Sequence, residues 1–144
     1  MRIDLTKYMI NKEKPKGDGE FDYGWCAGDQ TKALRYYLSD KVKFIHTHLE
    51  GTYQGACYAI LHVEDKLILW RDFYGSCSGC DALEGSDGYS YIKDTLQEGN
   101  TKQFNTPQEA IDYLNDEENS GYTFWKDAKL ELIHCLNKLK EAKQ

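Results

Sequence analysis

Gly55-Ala56-Cys57-Tyr58-Ala59-Ile60-Leu61-His62-Val63-Glu64-Asp65-Lys66-Leu67-Ile68-Leu69-Trp70-Arg71-Asp72-Phe73-Tyr74 is the stretch whose reading decides the fold. Two runs rich in aliphatic and aromatic residues, Gly55 to Val63 and Leu67 to Tyr74, flank the polar Glu64-Asp65-Lys66, the pattern of a β-hairpin. A three-residue loop sets Val63 opposite Leu67, Leu61 opposite Leu69, Ile60 opposite Trp70 and Tyr58 opposite Asp72. Both faces of such a hairpin are largely apolar. Its strands are therefore expected at the centre of a sheet, covered by helices on at least one side.

Working outward, Val42 to Leu49 reads as a further strand. A helix is expected from just after Asp29 to about Ser39, because Ala33, Leu34, Tyr37 and Leu38 recur at helical spacing. Thr106-Pro107-Gln108-Glu109 combines an N-cap, a proline at the first helical position and a capping glutamate, and Ala110, Ile111 and Leu114 supply the buried stripe. A last helix runs from near Phe124 to about Ala142 on Trp125, Ala128, Leu132, Leu136 and Leu139. Its stripe serves either the core or a dimer seam. Ile3 to Ile10 fits a short strand or a helical turn, Tyr89 to Gln97 a short helix or an edge strand, and Asn11 to Glu20 a loop. The fold class is α+β: one domain over residues 1–144, an antiparallel sheet of three or more strands packed against about three helices.

The chain carries 11 Tyr, 3 Trp and 5 Phe and a formal net charge of -6. Its charges cancel as far as Asp72, and between Asp81 and Glu118 there are 10 acidic residues against Lys93 and Lys102. Such a field repels a phosphate backbone and suits a basic partner or a cation, so no direct nucleic-acid partner is expected. No apolar run reaches the roughly 18 residues that span a membrane. Met1 to Met9 carries Arg2, Asp4 and Lys7, unlike a signal peptide. A cytoplasmic location follows as the expectation, with the five cysteines as thiols or ligands rather than disulfides.

Gly75-Ser76-Cys77-Ser78-Gly79-Cys80-Asp81 is the densest cluster of unusual chemistry. In one of three competing readings Cys77 and Cys80 are half of a zinc site, whose missing ligands would come from Cys26, Cys57, Cys135, His46, His48 or His62. His46 and His48 alternate on one strand and share a side, giving Cys77, Cys80, His46 and His48 as the candidate set. The expectation is no cofactor, with zinc as the one metal the sequence offers. Either histidine equally fits a half-buried, hydrogen-bonded role. A redox pair is opposed by Asp81, whose charge disfavours a thiolate. A tight structural loop accounts for the same residues. Asp72, Asp81 and Glu84 could flank a cleft with Tyr74, and Cys26 beside Trp25 could act as a nucleophile with His46 or His48 as base.

The run Tyr74 to Asp81 resembles a segment of small uncharacterised proteins of bacteriophages and their hosts. That resemblance carries no catalytic residue. It implies a compact protein that binds and inhibits a host factor. The expected function is therefore non-catalytic macromolecular binding through an acidic, tyrosine-rich face with Tyr74, Asp81, Glu84, Asp87 and Asp94. The expected partner is a protein, such as the basic surface of a nucleic-acid-binding protein. The alternative is a metal-dependent or thiol-dependent enzyme centred on Cys77 and Cys80.

Overall fold

The hairpin closes on two residues rather than three. In the computed structural model of the chain, which describes residues 2–13, 30–51, 55–74, 88–97, 100–116 and 126–142, β2 (Gly55–Val63) pairs antiparallel with β3 (Lys66–Tyr74). Val63 lies opposite Lys66, Leu61 opposite Ile68, Ile60 opposite Leu69, Ala59 opposite Trp70 and Tyr58 opposite Arg71. This is one residue out of step with the pairing read from the sequence. Glu64 and Asp65 take φ of 50° and 65°, and a two-residue turn with both centres at positive φ matches the twist of the flanking strands. Because both faces of the hairpin are buried, apolar residues meet apolar residues in either register. The hydrophobic pattern does not discriminate, and the turn decides.

Around this hairpin the sheet extends to four antiparallel strands in the order β1-β2-β3-β4, with β1 at Lys43–Gly51 and β4 at Thr101–Phe104. Every residue of β2 except His62 is buried. Cys57, Ala59, Leu61 and Val63 face one core, with Ile68 and Trp70 from β3, under α1 (Gln30–Tyr37) and α2 (Tyr89–Thr95). Ala56, Tyr58 and Ile60 face a second core, with Leu67 and Leu69, under α3 (Pro107–Asn115) and α4 (Lys126–Ala142). The α+β expectation holds, and helices cover both faces of the sheet.

Local chemistry explains the elements. Thr106 Oγ1 accepts from the Glu109 N–H at 3.2 Å, and Glu109 Oε2 accepts from the Asn105 N–H at 2.8 Å, so the capping box satisfies two donors at the start of α3. In α4, Ala128, Leu132 and Leu136 are buried against the sheet, with Ile133, Cys135 and Leu139 at their margins. The stripe is thus used by the intramolecular core. Tyr89 to Thr95 is helical because Ile92, with Leu96 just beyond it, enters the first core. In that core Trp70 Nε1 donates to Thr95 Oγ1 at 3.0 Å, and that hydroxyl donates to the Ile92 carbonyl at 2.7 Å. No helix among the described residues is long and apolar enough to cross a membrane.

Candidate functional site

β1 begins with an irregularity that aims its side chains. Phe44 lies opposite Leu61 and His46 opposite Ile60, leaving Ile45 as an extra residue between them. Strict alternation would put Phe44 and His46 on the same face. The bulge instead leaves Phe44 against the α1/α2 core and turns His46 to the α3/α4 face. From there alternation resumes, so His46, His48 and Glu50, opposite Ile60, Tyr58 and Ala56, share that face.

Helix α4 lies over this end of the face and brings one carboxylate to both imidazoles. Glu131 Oε1 is 2.9 Å from His46 Nε2, and Glu131 Oε2 is 2.7 Å from His48 Nδ1. The second ring nitrogen of His48, Nε2, stands 3.5 Å from Glu50 Oε1. One donor atom from each of His46, His48 and Glu131 lies within 4.8 Å of the others. Side-chain exposures of 27% for His46, 15% for His48 and 43% for Glu131 put the cluster at the surface, with its carboxylate side open. The rings of His48 and Tyr58 are 6.2 Å apart and tilted, and fully buried Tyr58 forms the floor.

Two kinds of occupant satisfy this geometry. With protons, the imidazoles donate to the two oxygens of Glu131, and the cluster is a hydrogen-bonded clamp between β1 and α4. With a divalent ion, the same atoms become ligands. Bonds of about 2.0–2.2 Å in a tetrahedron set neighbouring donors roughly 3.3 Å apart, so around an ion the donor atoms of the three residues, within 4.8 Å of one another here, would draw together. Glu50 then holds the outer nitrogen of His48, the carboxylate–imidazole pairing that fixes the ring of a metal-bound histidine.

The sequence placed His46 and His48 correctly on one side of one strand, and the hydrogen-bonded role read for them is present. Glu131 was not found, because His46 lies 85 residues away and a glutamate on a helix face carries no local signal. Of the other ligands considered, Cys57 is on the opposite face of the sheet, where its thiol donates to Gln30 Oε1 at 3.6 Å. Cys135 is one turn along α4 from Glu131. Burial pushes its thiol above the usual range and Glu131 adds to this, while Lys138 opposes it, so thiolate ligation is disfavoured. His62 sits opposite Lys43 rather than beside the cluster.

Cys26, Cys77, Cys80, Asp81, Glu84 and Asp87 lie outside the described residues, and with them the CxxC loop and most of the acidic face. Tyr74 closes β3, and Asp94 is exposed on α2. Asp72, read as an edge of a cleft with Asp81 and Glu84, is buried, and its carboxylate accepts from the Tyr91 hydroxyl at 2.5 Å. That contact makes it part of the core polar network. Protein-family models, curated proteins and solved structures give no match to this chain, so the reading of the site rests on its own geometry.

Proposed function

We propose that the protein binds a divalent transition-metal ion of the zinc class through His46 Nε2, His48 Nδ1 and the Glu131 carboxylate. The observation that carries this is the convergence of three donors from two elements within 4.8 Å, with Glu50 behind the outer nitrogen of His48. The donor set favours that class of ion. Two imidazoles suit zinc, copper, nickel or iron, whereas calcium and magnesium take oxygen ligands. Three protein ligands leave a fourth position, and the open carboxylate side directs it outward, to water or to a group brought by another molecule. The ion would join the edge of the sheet to α4. In this reading metal binding resides in the β1/α4 cluster, with the thiol pair of the CxxC loop outside it.

The test is native mass spectrometry of the full chain, stripped with chelator and then given one equivalent of Zn²⁺. One ion per chain is expected in the wild type and in Cys77→Ser/Cys80→Ser, and none in His46→Ala/His48→Ala. Zinc retained by the histidine variant, or no zinc in the wild type, sinks the proposal. Loss in both variants would move the ion to a shared cysteine–histidine set, and Glu131 would no longer be a ligand.

A further inference from the structure

β1 is an edge strand. Among the described residues nothing pairs with its outer side, and at nine residues it is much longer than the opposite edge, β4. A long edge presents a row of backbone N–H and C=O groups that another extended chain can complete. Leu49 is half exposed, and the face opposite the histidines opens into a groove beneath α1.

That groove has a charge of its own. A cavity of about 470 Å³ is lined by Thr31, Lys32, Arg35, Tyr36 and Thr47. A second cavity, between the end of α1 and the start of β1, shares Arg35 and is lined also by Asp40 and Phe44. The Arg35 guanidinium lies 4.4 Å from the Phe44 ring centroid, which fixes a cation at the junction of the two cavities. The charged residues lining the first cavity are Lys32 and Arg35, and Asp40 lines the second, so the groove along α1 carries two cations.

We infer that the outer edge of β1 and the groove along α1 form a docking site for an extended, acidic peptide segment of another protein. The segment adds to the sheet as a fifth strand. Its backbone completes the hydrogen-bonding edge of β1, and alternate side chains, carboxylates among them, point into the groove toward Arg35. The site is independent of the ion, because the groove opens on the face of β1 opposite His46 and His48. This surface selects acidic segments, and it is separate from the acidic stretch for which a basic partner is expected. A second copy of the chain is the less complementary occupant, since pairing β1 with itself brings two sets of these cations together.

The test uses the full chain and a fluorescent nine-residue peptide in which glutamate alternates with valine, titrated by anisotropy. Controls are the lysine–valine counterpart and the same acidic peptide N-methylated at alternate residues. Binding of the acidic peptide, lost on N-methylation, absent for the lysine peptide and weakened about tenfold or more by Arg35→Glu, is the expected result. The peptide controls leave the protein unchanged, so they decide the matter even where Arg35→Glu unsettles the fold. Equal binding of all three peptides, or none, overturns the inference. So does a wild-type dimer in sedimentation equilibrium that the acidic peptide does not dissociate, because the edge would then belong to a second copy.

Discussion

Glu131 and Glu50 sit on opposite sides of one imidazole, and the metal reading gives them different work. Glu131 touches both His46 and His48 and would donate directly to the ion, whereas Glu50 lies against the other nitrogen of His48, Nε2, and orients it. Glu50→Gln keeps a hydrogen-bond acceptor but removes the charge, and outer-shell changes of this kind weaken metal binding about 10- to 100-fold. Glu131→Gln is expected to cost more, because it removes a charged ligand. Zinc titration against a competing chromophoric chelator reads both constants. If Glu50→Gln proves as damaging as Glu131→Gln, the two roles assigned here are wrong. The contrast also marks what a sequence can reveal about a site. His46 and His48 were legible because strand alternation alone puts them on one side. Glu131 was not, since only the packing of α4 on β1 brings it there.

Among the elements, the hairpin turn shows how a short-range choice sets long-range pairing. Asp65 sits at φ 65° as the second of two left-handed residues, a region that costs a non-glycine residue about 1–2 kcal/mol. Glycine removes that cost but loses more entropy on folding, so Asp65→Gly should stabilise the protein by roughly 0.5 kcal/mol. Asp65→Val, β-branched at positive φ, should destabilise it by about 1–2 kcal/mol. Urea unfolding of the two variants measures the difference. Equal stabilities would return the hairpin to a three-residue loop and the pairing to Val63 opposite Leu67. The capping box of α3 was readable because all its parts lie within five residues, Asn105 to Glu109. β4 was not, because Thr101 to Phe104 is too short for a periodic signal and exists by pairing with Leu67 to Trp70. Tyr89 to Gln97 stayed ambiguous for the same reason: the first core, through Ile92 and Leu96, makes it a helix.

At the scale of the whole molecule, α4 is covalently remote from β1 yet lies against its histidines, and this gives an ion leverage over stability. Any ligand that binds the folded arrangement and not the unfolded chain adds RT ln(1 + [L]/Kd), about 2.7 kcal/mol at a free concentration of 100 Kd. For a domain of this length each kcal/mol moves the midpoint by about 3 °C, so zinc at that concentration should raise Tm by roughly 8 °C. Differential scanning fluorimetry of chelator-treated protein, with and without zinc, reads the shift. The same shift is expected in Cys77→Ser/Cys80→Ser and none in His46→Ala/His48→Ala. Magnesium should do nothing, because it prefers oxygen ligands. Acidification supplies an independent arm: the ligating nitrogens must be free of protons, so the zinc-dependent rise should shrink as pH falls, even at saturating zinc-to-protein ratios. A shift that survives loss of both histidines, or that is insensitive to acid, would mean the ion stabilises some other part of the chain. His46, His48 and Glu131 would then act only as the hydrogen-bonded clamp that their present distances already form.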